Sequence, residues 1–355
     1  MRLAKKLKSN YKIVFIAPES EYSEKIRKKG FDFKAIQLDA KSRNLFKEIK
    51  SCINIYRTYS KLNLDVLLHY TIKPNIYGTI AANMLGIKTV NNIAGLGSNF
   101  TETSLFRKML EKLYKYSQKD ADFIFFQNNE DKNLFINNNI ITHDRFKRIP
   151  GSGVNLERFD NNNFDRNKND DLFRFLLVGR LLWDKGVGEY VRAAKKMNKK
   201  YSKVKFEILG FLDSDNPNAI TSSQMEKWED EGDIEYLGVS DNVEKVMIDS
   251  DCVVLPSYYR EGVPRTLLEA SALSKPIITT DNVGCREVIQ DGKNGFMCKK
   301  RDVDSLFKAM EKIYNKSKGE LEKMGKAGRK MVENKFDEMI IINEYIDIIK
   351  NLLNK

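Results

Sequence analysis

FLLVGRLLWDKGVGEYV, Phe175 to Val191, reads as a strand, a loop and a helix in succession. Gly179 ends the apolar run and lets another backbone come close. Arg180 and Lys185 bring two cations to one strand end. Gly186 and the helix after it offer backbone N–H groups. Two cations and a helix N-terminus suit a diphosphate, whose charge is spread over several oxygens. The spacing is not that of a P-loop, and the pair Gly186 and Gly188 lacks the third glycine of a dinucleotide fingerprint. Taken alone, such an Arg/Lys pair is equally a surface pair.

The same strand-then-helix rhythm runs through the chain. In the first half the strand candidates are KIVFIAP, FDFKAIQL, DVLLHY, KTVNNI and DFIFFQ; in the second they are FRFLLVG, VKFEILG, IEYLG, DCVVLP and PIITT. Helical stretches separate them, which argues for parallel sheets covered by helices. The rhythm is broken once, at PGSGVNLERFDNNNFDRNKNDD, a linker by composition. The fold class expected is therefore α/β, with two facing Rossmann-like, doubly wound parallel-sheet domains and ligand sites at the carboxyl ends of the strands. Residues 1–154 form the first domain, 155–335 the second, and 336–355 a C-terminal helix packing back towards the first.

A second motif follows in REGVPRTLLEASALSKPI, Arg260 to Ile277, where Glu261 and Glu269 stand eight positions apart. Pro264 has a pre-set φ and no N–H to lose, so it suits the first helical position. The N–H groups of Arg265 and Thr266 then lie at the helix mouth, where an anion binds. The pattern places a phosphate at the helix end with carboxylates beside it for hydroxyl groups. For either glutamate alone, a loop cap or a solvated helix residue is the commoner role.

Together the two motifs, with EILG and YLG between them, resemble the donor half of the retaining GT-B glycosyltransferases of family 4, over nearly all of Leu176 to Phe296. The resemblance implies that Arg180 and Lys185 hold the nucleotide diphosphate, and that Glu269 binds the ribose and Glu261 the donor sugar. It places Val263, Pro264, Arg265, Thr266 and Leu267 near the β-phosphate and sugar, and Gly210, Leu237 and Gly238 near the base and ribose. It implies a UDP-sugar as co-substrate, with no cofactor, no essential metal and no enzyme nucleophile. Asp213 to Asp215 mimic a metal motif of the other glycosyltransferase fold, but Asn216-Pro217 makes them a turn.

The first half resembles, less sharply, bacterial transferases that extend polyprenyl-diphosphate-linked sugars, through LHYTIKPNIYG (Leu68 to Gly78) and NIAGLGSNF (Asn92 to Phe100). His69 and Lys73 lie where a strand end meets the cleft, and Gly95 and Gly97 shape a loop near the sugar; a lone histidine is more often structural. His143 sits in a polar turn and is inert. Such a domain opens strand, glycine loop, helix, strand. Here RLAKKLKSN reads as the first helix and KIVFIAP as the second strand, so the first strand and its loop are missing, leaving a gap in the middle of the sheet. The alternatives are a soluble acceptor, or a non-catalytic sugar-nucleotide or membrane binder.

Charge is uneven. Residues 1–150 hold 27 Lys and Arg against 14 Asp and Glu, while the whole chain is +12, so the entire excess lies in the first half. A polyanionic partner or a lysine-rich proteome accounts for it equally. Ser104 to Lys119 carries Phe106, Met109, Leu110 and Leu113 on one side and five basic residues besides. That suits a helix lying on an anionic leaflet, although an apolar stripe more often faces a core. No nucleic-acid motif accompanies the charge. Four scattered cysteines read as reduced packing residues, and no signal peptide or spanning segment is present in the sequence. The expected location is cytoplasmic, peripheral on the inner face of the plasma membrane.

Overall fold

The central strands of the second half are largely buried because both faces of their sheet are covered. In the computed structural model, β7 (Phe173–Val178), β8 (Val204–Leu209), β9 (Glu235–Tyr236), β10 (Cys252–Leu255), β11 (Ile277–Thr280) and β12 (Gly295–Cys298) form one parallel sheet. Its order is β12-β11-β10-β7-β8-β9. The structure describes residues 1–38, 45–96, 100, 105–166, 170–212 and 216–354, with Leu45, Phe46, Leu105 and Phe106 described by backbone alone. Side chains alternate across the sheet. Phe175 and Leu177 join one core with Tyr190, Met197 and Phe206, while Leu176 and Val178 join the other with Leu267, Leu268 and Val332. That is the period of two expected of a strand.

The order of strands places the site. β7 pairs with β8 on one side and β10 on the other, so the chain leaves β7 in one direction and returns beside it as β10. The loops after β7 and β10 therefore emerge side by side at the carboxyl edge, the place where doubly wound sheets open a crevice.

The chain divides into two compact units, Met1–Ile149 with Ile341–Lys355, and Pro150–Ile340. The sequence reading sets the boundaries at 154/155 and 335/336. Val154 draws its segment into the second unit by donating its N–H to Phe336 (2.8 Å) and accepting from Glu338 (3.1 Å).

The first unit contains β1 (Val14–Ala17), β2 (Asp32–Ala35), β3 (Val66–Tyr70), β4 (Lys88–Ile93), β5 (Phe123–Phe126) and β6 (Phe146–Arg148), all in parallel pairs. They fall into two sheets, β1-β2 and β3-β4-β5-β6. β1 and β3 carry no pairing to each other among the described residues. The last helix, Glu338–Leu353, lays Ile341, Tyr345 and Ile349 into the first unit, where Tyr345 and Ile341 meet Val90 and Phe125. Asn92 Nδ2 donates to the Tyr345 hydroxyl at 2.7 Å.

The helix Leu105–Gln118 corrects one expectation. Leu110 and Tyr114 are buried against Ile76 and Phe100, and Leu113 packs on the same cluster, so much of the apolar stripe faces the core. Met109 is exposed beside Lys108, Lys112, Lys115 and Tyr116. Phe106 and Ser104 lie outside what is described of side chains, as Asp213 to Asp215 lie outside the described residues.

Two strands escape sequence reading. β6 has three residues, two of them basic. β12 begins with a glycine, which reads as a turn; here it is required, since a Cβ on Gly295 would lie 1.9 Å from the Ile277 carbonyl oxygen. Gly295→Ala is expected to lower stability by about 1–3 kcal/mol through overpacking. A thermal or urea denaturation midpoint equal to wild type would show that the pairing of β11 and β12 yields easily.

Candidate active site

Lys185 and Glu261 meet in the crevice between the loops after β7 and β10. Lys185 Nζ lies 2.8 Å from Glu261 Oε1, with side chains only 13% and 12% exposed. The loop after β7 turns through Trp183–Lys185 and reaches Gly186 at φ +80°. A Cβ there would sit 2.2 Å from the Pro256 carbonyl oxygen, so Gly186 lets the two loops touch backbone to backbone. The carbonyl of Asp184 accepts the N–H groups of Tyr258 (2.9 Å) and Tyr259 (3.0 Å), tying the loops together. Ser257 Oγ donates to Glu261 Oε1 at 2.6 Å. Lys185 Nζ also stands 5.6 Å from the centre of the Tyr259 ring.

The surroundings are partly dry. Burial raises the Asp184 carboxyl above its ordinary range, and the charges of Lys185 and Arg180 pull it back. Arg180 is exposed at the mouth of the crevice. Gly179, Gly210 and Gly238 stand at neighbouring strand ends, joined by Gly179 N–H to Leu209 (3.1 Å) and Gly210 N–H to Gly238 (2.9 Å). Leu237 instead turns towards the core below the sheet and the helix Val243–Asp249, lining a hollow with Arg174 and Lys245.

The second carboxylate sits on the helix Arg265–Ala272. Pro264 is the residue before that helix, not its first: its ψ of 116° is extended, which moves the start by one residue. The first intrahelical bond runs from Leu267 N–H to Pro264 (3.2 Å), so the N–H groups of Arg265 and Thr266 precede the ladder. Val263, Leu267 and Leu268 are buried and anchor the turn. Glu269 is 15% exposed and pairs with Arg265 at 3.2 Å. Burial raises its carboxyl, opposed by Arg265 and Arg158 and reinforced by Glu244. Arg158, which sequence reading leaves in a linker, bonds Glu244 at 2.7 Å.

Cations, carboxylates and the N–H groups of Arg265 and Thr266 at a switch point have the chemistry that phosphate and hydroxyl groups require. Two family models match the chain. "Glycosyl transferases group 1" matches residues 158–331, and "Glycosyl transferase 4-like" matches residues 1–128. The chain is a GT-B glycosyltransferase. Among its relatives is the N,N'-diacetylbacillosaminyl-diphospho-undecaprenol alpha-1,3-N-acetylgalactosaminyltransferase of Campylobacter jejuni, 29% identical over 99% of this chain and 96% of that protein. The UDP-Gal:alpha-D-GlcNAc-diphosphoundecaprenol alpha-1,3-galactosyltransferase of Escherichia coli is 26% identical over 87% of this chain and 82% of its own length. Among solved structures, HepE of Anabaena in complex with UDP and glucose superposes with a TM-score of 0.78 at 14% identity, covering 98% of this chain and 94% of that one.

The first unit of the transferase treats its expected site residues differently. His69 is buried: its Nδ1 lies 2.9 Å from Asn91 Oδ1 and its Nε2 3.1 Å from the Tyr59 hydroxyl. Since Asn91 donates its Nδ2 to Gln118 at 2.7 Å, Oδ1 faces the ring, Nδ1 carries the proton, and Nε2 accepts from Tyr59. His69 is therefore a structural ring inside a polar network and is withdrawn as an acceptor contact. Lys73 is 2.6 Å from Glu48, with both side chains largely buried, so a carboxylate already meets its charge. Gly95 has φ +117°, and Gly97 lies outside the described residues. His143 is held in its turn, its Nε2 3.0 Å from the Gln118 carbonyl.

Burial lowers the His69 pKa from 6.5 to about 4. Between those values the unfolded chain binds the proton and the folded chain does not. Stability is full above the unfolded value and falls as pH drops towards the folded one, by about 3 kcal/mol in all. Urea midpoints measured from pH 7 to 4.5 should fall more steeply for wild type than for His69→Gln. Parallel curves would place the ring in contact with solvent.

Proposed function

We propose that this transferase moves a hexose or N-acetylhexosamine from a UDP-sugar to a polyprenyl-diphosphate-linked sugar, with retention at the anomeric carbon. The observation that carries the donor half is the meeting of Lys185 with Glu261 at the switch point, beside the Glu269 helix. The acceptor class follows from the relatives, two of which are named for diphospho-undecaprenol substrates. The UDP donor follows from the name of one relative and from the UDP bound in HepE.

In this reading Glu269 takes the ribose hydroxyls and Glu261 the hexose hydroxyls. Arg180, Lys185 and the N–H groups of Arg265 and Thr266 meet the diphosphate. A nucleoside diphosphate is a good leaving group, so catalysis depends on stabilising the charge that grows on it. The acceptor hydroxyl attacks on the face the phosphate leaves, and the departing phosphate oxygen takes its proton. No covalent link to the enzyme forms. Two side-chain cations supply the positive charge, so the reading includes no essential metal and no cofactor.

The reading includes an anionic membrane as the surface on which the lipid-linked acceptor is met, at the cytoplasmic face of a bacterial plasma membrane. No helix among the described residues is long and apolar enough to cross one. Lys108, Lys112 and Lys115 line the exposed side of Leu105–Gln118, with Met109 and Tyr116 among them, in the half of the chain that holds the whole positive excess. Basic residues near an anionic leaflet each contribute about 1 kcal/mol, screened by salt.

Glu269→Gln should weaken UDP binding by about 1.5–3 kcal/mol, the contribution of a hydrogen bond to a charged group. Lys185→Ala and Arg180→Ala should lower kcat more than they raise KM, because the charge they meet grows in the transition state. Calorimetry with UDP and transfer assays with radiolabelled UDP-sugars read both, and full transfer by all three variants removes these roles. On vesicles containing phosphatidylglycerol, flotation should show binding that weakens with salt and disappears when Lys108, Lys112 and Lys115 become glutamate. Binding indifferent to salt would remove the basic edge from the membrane reading.

A further inference from the structure

We propose that Ser257 is a positioning residue for transfer: it commits one oxygen of Glu261 to the protein and so leaves the other to the donor's sugar. The inference rests on the donor-site reading above. Ser257 is completely buried in the first turn after β10. Its hydroxyl has one proton and two acceptors in range, Glu261 Oε1 at 2.6 Å and the Asp184 carbonyl at 3.3 Å. The shorter bond, to a carboxylate, takes the proton, since charge-assisted bonds are the stronger ones. The oxygen of that hydroxyl in turn accepts the Tyr259 N–H at 3.3 Å, which orients it.

Its backbone is held from the other side. The Ser257 carbonyl accepts from the Thr280 hydroxyl and from Asn282 Nδ2, and Asn282 also donates to the Tyr259 carbonyl at 2.7 Å. A serine fixed at hydroxyl and carbonyl is a rigid post.

The consequence concerns the two carboxylate oxygens. Both the Ser257 hydroxyl and the Lys185 ammonium end on Glu261 Oε1. Among the described residues none donates to Oε2. With Oε1 pinned by two donors, the carboxylate plane is set, and Oε2 points a fixed acceptor at whatever hydroxyl enters the crevice. When Lys185 turns to the diphosphate, Ser257 is the partner that still holds Oε1. The serine thus keeps the glutamate aimed at the moment its ammonium partner is drawn away.

The test uses the full chain, a polyprenyl-diphosphate-linked N-acetylhexosamine as acceptor, and radiolabelled UDP-galactose, UDP-glucose, UDP-N-acetylgalactosamine and UDP-N-acetylglucosamine as donors. With the donor that wild type uses best, Ser257→Ala should lower kcat about tenfold or more, the cost of one hydrogen bond to a charged group. UDP affinity by calorimetry should stay within about twofold, since Ser257 makes no contact to the nucleotide side. In a Glu261→Ala background the same serine change should add almost nothing, because the group it positions is gone. Ser257→Ala that slows Glu261→Ala as much as wild type, that keeps wild-type kcat, or that loses UDP affinity overturns the positioning role. Wild type inactive with all four donors, or Glu261→Ala as fast as wild type, overturns the donor-site reading itself.

Discussion

The Asp184 carbonyl oxygen is the joint on which the site depends. By accepting two consecutive N–H groups, from Tyr258 and Tyr259, it makes the loop after β7 and the loop after β10 one object. Strand order brings these loops to the same edge; the joint sets their relative height. Lys185 follows Asp184 directly and Glu261 lies two residues beyond Tyr259, so the ion pair between them is a consequence of the joint. Gly186 is the price of this closeness, since any Cβ there would strike the Pro256 carbonyl.

That pairing also resolves a problem of charge. Two side chains near one-eighth exposed lose much of their hydration, and an unpaired ion in such a place is costly. Pairing offsets the loss while the crevice is without substrate. In the reading proposed above, phosphate oxygens replace the glutamate at Lys185, and sugar hydroxyls meet the other oxygen of Glu261. Glu269 is arranged differently. Its partner, Arg265, is on its own helix one turn away and is well exposed, so the bond is a weak one that water competes for. One carboxylate is held across two loops and the other within one helix; in the proposed reading that suits a rigid contact to the sugar and a yielding contact to the ribose.

How legible was this in the sequence? The second unit was legible because its strands are rich in apolar residues, with β7 and β8 running into Gly179 and Gly210, and because Glu261 and Glu269 keep a spacing that a loop and a helix turn explain. Three things were not. Pro264 has φ near −65° both as a first helical residue and as the residue before a helix, so only ψ distinguishes the two roles. β12 opens on Gly295, whose need for closeness to Ile277 looks in sequence like a turn. Ser257 bonds Glu261 by its side chain and Asp184 joins the loops by its backbone carbonyl, and a serine or an aspartate after a strand carries no mark of either.

The first unit was less legible for a reason its core makes plain. Its strands and the helices on them bring polar side chains inward: His69, Asn75, Asn91, Asn92 and Gln118 are all buried. In sequence His69 reads as the end of a strand that meets the cleft, which is why it attracted a substrate role. Inside the unit these side chains bond to one another and to backbone carbonyls. Asn91 joins His69, Thr79 and Gln118; Gln118 reaches the Asn75 carbonyl at 2.6 Å; and Asn75 reaches the Asn92 carbonyl at 2.8 Å. Asn92 then bonds Tyr345 of the last helix. A run of such bonds fixes geometry in a way that apolar packing does not, because each amide has donors and acceptors on defined sides. It connects the ends of β3 and β4 to the C-terminal helix without a break. The segment Tyr70 to Gly78, where Thr71 holds φ +70° and Pro74–Gly78 winds as a π-helix, is seated on that network. A β-branched residue at positive φ is strained, and strain persists only where the surroundings over-determine it. The polar core under this segment is what does so.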